Sequence, residues 1–472
     1  MEQQQPSSKT RAERLQDYLR QLPQQAVALL LREFEREVRQ GKDTAAAEMV
    51  LAELRKLARP PEASELPRLD DLQRLVLAPL EPFLVDRDSV RPGQIKRASL
   101  GPLWAWLTHV GLADRLEAFR KDYAEAAVAN RIEAEQVVRR IQLAAAEAIA
   151  GVMNPQAPGA DMQRSLGRVG APSVIEDLAA IQLALAHREP LELLRSRLPR
   201  IISAFGDSQV NSIRGNITQV PSLQSPLVIP LVISLVMQRM TSPWQITRLA
   251  VSFAGSDEEG RVAATPFGVA VTMVLEDLVL QVDELRLQIK RGHFAESAHH
   301  LKSLHDAVRD LRTELDFRSD SMWGRQLSAV RAEISNVLTS EIDSVPGRVR
   351  RLLRHRSDKD IHAGARLDAS EAEETVALVN FVASCRTYAS ELAINEVSLR
   401  SFSDLQHYVE PATEALVESL RGGDARLRAF RQLQVELAIR FCEVIFGHDY
   451  AALMSKAAEV AQGGERKLLQ AG

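Results

Sequence analysis

A chain of 472 residues is long enough for about two to four domains. Its 45% hydrophobic and 26% charged content is that of a globular protein and excludes wholesale disorder. The 59 basic and 63 acidic side chains leave a net charge of −4, so no global field directs it to nucleic acid or to a membrane.

Aromatics make up only 5%, while Ala, Leu, Arg and Glu dominate, a composition that favours helix over strand. The two cysteines, Cys385 and Cys442, sit among apolar neighbours and read as small core residues of a reducing compartment. The opening residues are polar, with no apolar stretch of a secretory signal. The longest apolar run, residues 227–237, falls short of the roughly 20 residues a spanning helix needs, and Pro230 interrupts it. A soluble, cytoplasmic protein is expected.

In chain order, the first stripe is Leu15, Tyr18, Leu19 and Leu22. After Pro23, Val27, Leu30, Leu31, Phe34 and Val38 keep helical spacing until Gly41 supplies a stop. Val50, Leu51, Leu54 and Leu57 mark a third helix, ended by Pro60 and Pro61. A fourth carries Leu72, Leu75, Val76, Leu80, Phe83 and Leu84, and Pro79 and Pro82 are expected to kink or shorten it. Residues 99–152 are helical in pattern, with a break placed at Asn130. Residues 154–172, rich in Gly and Pro, read as a linker.

Next come helix starts at Ser225-Pro226, Ser242-Pro243 and Thr265-Pro266, each an N-cap residue followed by proline. The run 227–236 fits a buried helix or a strand. Helix is preferred because no strand-like partner lies nearby.

The most regular pattern follows, in three successive stripes whose apolar residues alternate three and four apart. They are Val271, Leu275, Leu278, Val282, Leu285, Ile289; Leu301, Leu304, Val308, Leu311, Leu315; and Trp323, Leu327, Val330, Ile334, Val337. A 3.5-residue repeat predicts coiled-coil-like helices, antiparallel because their links are short. Pro346 is expected to close this region. Ser370 and Glu373 form a capping box that opens a long helix through Val376, Val382, Leu392 and Phe402, with Pro411 ending or kinking it. Two further helices follow Gly422-Gly423.

For chemistry the chain offers little. It contains no phosphate-binding glycine loop, no zinc-protease or nucleophile-elbow motif and no CxxC pair. His293, His299, His300 and His305 are the nearest approach to a metal site. Glu296 and His299 share one helical face, but a carboxylate-bridged di-metal bundle needs two such steps, so no metal and no cofactor are expected. Arg348, Arg350, Arg351, Arg354, His355 and Arg356, interleaved with Val349, Leu352 and Leu353, read as a short basic amphipathic helix. It is a contact for a polyanion or anionic surface, or else a solvated face pairing with nearby carboxylates. Trp244 beside Arg248 is a second contact candidate. Asp306, Asp310 and Glu314 read as an outward solvated face.

Residues 77–86 and 242–250 resemble segments of uncharacterised cytoplasmic helical proteins of proteobacteria. That resemblance implies a bacterial, cytoplasmic setting and carries no activity, cofactor or site residue.

The expected architecture is all-α and elongated: a helical domain over residues 1–153, a middle domain over 173–356 with the heptad region at 266–345, and a C-terminal bundle over 370–472. The expected function is that of a non-catalytic scaffold, adaptor or regulator with a protein partner or a second copy, without catalytic residues. The alternatives are a polyanion or membrane-surface binder acting through Arg348–Arg356, and a helical-bundle enzyme.

Overall fold

The computed structural model describes residues 69–88, 90–153, 166–354, 366–421 and 427–469, with scattered positions between 19 and 54. Residues 1–68 and 69–472 form two compact units. In the first, Leu19, Leu31, Leu51 and Leu54 are buried together against Leu30, Phe34 and Val50. The remaining stripe residues expected there (Leu15, Tyr18, Leu22, Val27, Val38 and Leu57) lie outside the described residues.

Among its described residues the second unit is all-α apart from one pair of two-residue strands and two isolated bridges. Helix α1 (Leu69–Leu77) stops where Pro79 and Pro82 impose a 3-10 turn, Ala78–Phe83. Strands β1 (Leu84–Val85) and β2 (Ile95–Lys96) then pair in parallel, Leu84 opposite Ile95. Helix α2 (Leu100–Trp106) widens into a π-turn, Leu107–Gly111, packed on Trp106. Helices α3 (Ala113–Ala129) and α4 (Arg131–Val152) divide at Asn130, as expected. Its Oδ1 accepts from the Glu133 backbone N–H at 2.9 Å while its amide donates to the Glu133 carboxylate at 2.8 Å. The Asp122–Arg140 pair at 3.0 Å brings α3 and α4 together antiparallel. Most of the expected linker, residues 154–165, lies outside the described residues.

Helices α5 (Pro172–Ala186), α6 (Arg188–Arg197), α7 (Asp207–Thr218), α8 (Ile229–Met237), α9 (Thr247–Ala254) and α10 (Glu259–Ala263) follow. The ambiguous run is helix α8, buried on nearly every side, because a helix satisfies its own backbone groups in an apolar surrounding. Pro230 rather than Pro226 opens it. Pro243 and Pro266 each begin a 3-10 turn that runs on into a helix, but neither Ser242 nor Thr265 caps it. The Thr265 hydroxyl donates back to the Val262 carbonyl at 2.9 Å instead.

The heptad helices are α11 (Val269–Lys290), α12 (Phe294–Glu314) and α13 (Met322–Leu353). Ser303 bonds Gln281 at 3.0 Å across the α11–α12 hairpin, and Trp323 Nε1 bonds Thr272 Oγ1 at 3.1 Å between α13 and α11. Every stripe residue is buried except Val337, which is half-exposed, its place taken by Leu338. Pro346 does not close the region. Helix α13 continues to Leu353, because the Ile342 carbonyl, left without its N–H donor by Pro346, accepts from the buried Ser401 hydroxyl at 3.2 Å.

The expected long C-terminal helix is two helices, α14 (Ala369–Tyr388) and α15 (Asn395–Glu418), separated by a turn in which Ala393 takes the left-handed conformation (φ 57°). The cap also moves. Asp368, not Ser370, accepts from the first free N–H groups. Pro411 lies inside α15 and does not end it. Helices α16 (Arg428–Phe446) and α17 (His448–Leu469) turn at Gly447, whose φ is 95°. One continuous cluster of buried side chains runs from Leu72 to Ala461 and takes in residues of all three segments expected to be domains.

Candidate functional site

The basic run is not a separate helix but the last turn of α13, held down by buried Val349, Leu352 and Leu353. Its charges meet α14, whose first turns present Glu371 and Glu374 where a helix N-terminus favours anions. Arg348 pairs with Glu374 at 2.5 Å, and Arg351 pairs with Glu371. The Arg350 guanidinium lies 5.7 Å from the Tyr408 ring centre, and the Tyr408 hydroxyl donates to the Arg350 carbonyl at 3.3 Å. Burial pushes that hydroxyl's pKa up, with Arg350 and Arg354 opposing. Arg354 is exposed, and His355 and Arg356 lie outside the described residues. Two guanidiniums of the turn are thus engaged by carboxylates of the same chain.

Trp244 is half-buried against the core on the turn Pro243–Ile246. One turn later Arg248 reaches Glu314 at 2.8 Å and Asp310 at 3.7 Å, and donates to the Phe205 carbonyl at 3.2 Å. Asp310 and Glu314 therefore do not form an outward solvated face. Their side chains are 15% and 21% exposed, and burial pushes the Asp310 carboxyl up despite Arg248. Glu296 and His299 are exposed, whereas His305 turns to Asp306 at 3.0 Å and packs on the Tyr388 ring. Among the described residues no three His, Cys, Asp or Glu side chains are grouped as metal ligands. Both cysteines are free and buried, and burial pushes both thiols up.

The most tightly built polar cluster escaped the sequence. Arg91, 6% exposed, donates from Nε to Asp277 at 2.7 Å and from Nη1 to the Ser234 hydroxyl at 3.0 Å, tying the β1–β2 loop to α11 and α8. Arg87 stands 3.7 Å from the same carboxylate. Burial is the largest influence on Asp277 and raises its pKa, with Arg91 and then Arg87 opposing. Two residues on, Gly93 has φ 78°, and a Cβ there would lie 2.1 Å from the Pro230 carbonyl oxygen, so only glycine lets the loop approach α8. The readable signals were Arg91-Pro92-Gly93, a turn sequence with a cation, and Asp277 set between the stripe residues Leu275 and Leu278. A similar tie is Asp177 on α5, 3% exposed, which accepts from the Ser99 hydroxyl at 2.6 Å and the Lys96 N–H at 3.1 Å.

Arg91 and Asp277 thus face each other, and Asp177 faces Ser99. Of the concavities, one is a broad open basin bordered by Arg291, Gly292, Ser370, Glu373 and Glu374. Another is a cleft of about 40 Å³ lined by Pro79, Pro82, Phe83, Arg188, Leu191 and Arg195. Among the described residues no helix is long and apolar enough to cross a membrane. Comparison with protein-family models, with curated proteins and with solved structures finds no match for this chain.

Proposed function

We propose that this chain is a non-catalytic interaction protein, a bacterial cytoplasmic scaffold, adaptor or regulator that engages a partner protein through exposed helix faces. The observation that carries the reading is the end of the α3–α4 hairpin. There Val128 is 89% and Ile132 is 69% exposed, on either side of the Asn130 cap and beside exposed Ala127 and Ala129. Two β-branched side chains placed together in water contribute nothing to the fold and would gain from an apolar cover. Helix α3 supports the same reading: Ala126 is its one buried residue, so it stands on the rim with most of its surface open.

The enzyme reading has less support. Buried Arg91 and Asp277 are committed to one another and buried Asp177 to the Ser99 hydroxyl and the Lys96 N–H, and the two concavities described present open or very small spaces rather than a pocket of convergent polar groups. The polyanion reading through the end of α13 is weakened by the Glu371 and Glu374 pairings.

The test is the double variant V128D/I132D. Because both residues are exposed, its thermal midpoint is expected to match the parent, with a change under about 0.5 kcal/mol. A partner or second copy that co-elutes with the parent chain is expected to be lost. A midpoint lowered by several degrees would mean the tip is covered within the chain, and would contradict the reading.

A further inference from the structure

Helix α3 turns one face inward and one outward. Leu116, Phe119 and Tyr123 pack against the core, and Ala126 is buried. On the opposite side Ala118, Lys121, Glu125 and Val128 are all exposed and follow one another at intervals of three, four and three residues. That spacing keeps them on a single line along the helix, the geometry of the seam in a two-helix contact. Their neighbours are engaged within the chain: Glu117 pairs with Arg120 at 3.1 Å, and Asp122 with Arg140 at 3.0 Å. Among the described residues, Lys121 and Glu125 have no ion-pair partner.

The line is complementary to itself. When Lys121 stands opposite Glu125 of a second, antiparallel copy, two-fold symmetry sets Glu125 opposite the copy's Lys121, and the next layers bring Val128 onto Ala118 at both ends. Two layers of opposite charge are then flanked by two in which a valine covers an alanine. Val128, 89% exposed in the single chain, gains most from that cover. Asp114, the next residue of the line, falls past the end of the copy's α3 at Ala129. Other registers lose the match. A shift of one heptad sets Glu125 against Asp114 or against Val128, and a parallel pair sets lysine against lysine and glutamate against glutamate.

We propose, on the reading of the tip as an interaction surface, that its occupant is a second copy of this chain, bound α3 to α3 antiparallel about a two-fold axis at the level of Tyr123. Charged pairs in the seam fix this register at some cost in strength. One 17-residue helix from each side gives a contact in the class under about 1,200 Å², that of transient complexes, so the dimer is reversible and forms at high concentration.

The experiment is sedimentation equilibrium of the full chain from about 10 µM to about 1 mM. The weight-average mass of the parent is expected to rise from that of one chain towards that of two. K121E sets like charges in both central layers and E125K does the same with the opposite sign, so each is expected to weaken the dimer about tenfold or more. Both positions are exposed, so the circular dichroism and thermal midpoint of each variant should match the parent. An equimolar mixture of K121E and E125K restores opposite charges in both layers, and a dimer of parental strength is expected from the mixture. If either single variant folds poorly, the double variant K121E/E125K, which restores both layers with one kind of chain, is expected to dimerise like the parent. A parent that stays at monomer mass throughout the range overturns the proposal. A cross-linked adduct of position 128 with a different protein would then leave the tip as an interaction surface with a foreign partner, whereas the absence of both dimer and adduct defeats both readings. A dimer that persists in K121E and E125K alike, or a mixture that stays monomeric while the parent dimerises, also overturns it.

Discussion

Replacing Leu304 by Asp is expected to destabilise the second unit by about 5 kcal/mol or more, which makes it the largest single-residue effect we anticipate. Leu304 is fully buried in α12, in the stripe shared with α11 and α14. Truncating a leucine in such a seam costs about 2 to 5 kcal/mol, and a carboxylate without a partner adds to it. Unfolding followed by circular dichroism should show a midpoint lowered by about 10 °C or more, or no cooperative transition. Glu296→Ala, exposed on the same helix, should stay within about 0.5 kcal/mol of the parent. An unchanged midpoint for L304D would mean that this face of α12 is open to solvent.

The second large effect is expected from Arg91→Met, which leaves Asp277 buried without its closest counter-charge. Breaking one side of a buried ion pair costs about 3 to 5 kcal/mol. The loss depends on pH. Asp277 has a pKa raised in the folded state, chiefly by burial, so its contribution is most favourable below its unfolded pKa and declines as pH rises through the folded value. Removing Arg91 removes an influence that lowers the pKa and pushes it further up. The stability gap between R91M and the parent should therefore be widest near neutral pH and narrow as the solution is acidified. Urea midpoints at pH 7 and pH 5 read this directly. The double variant R91M/D277L, which removes both charges, should recover most of the loss. Equal gaps at the two pH values would show that Arg91 acts through its packing and not through Asp277.

The heptad stripes of α11 and α12 were legible because burial of one narrow helix face leaves a period that survives in any sequence. The third stripe went astray at its end for a physical reason. A 3.5-residue count extended along a helix of 3.6 residues per turn drifts by about 20° per heptad, so Leu338 rather than Val337 meets the core. Pro346 misled because the group that rescues its orphaned carbonyl, Ser401, lies 59 residues further on. The division between α14 and α15 depends on Ala393 in a left-handed conformation, which alanine seldom takes and no local pattern announces. Two-residue strands leave no alternation to read. The polar ties were hidden for the same reason as Ser401. Period places apolar residues, but it does not tell a solvated acid from one that will meet an arginine of another helix, as Asp310 and Glu314 meet Arg248. The basic run was visible. Its engagement by Glu371 and Glu374 was open as one of two readings, and the geometry now supplies the partners.

The claim that the chain works through the α3–α4 tip is tested most directly by a photo-activated cross-linking residue placed at Val128 in living cells, with Glu436, exposed on α16, as the control. The account predicts a discrete adduct of one defined mass from position 128, absent from position 436 and abolished when Ile132 is replaced by Asp. No adduct at position 128, or the same ladder of adducts from both positions, would contradict it.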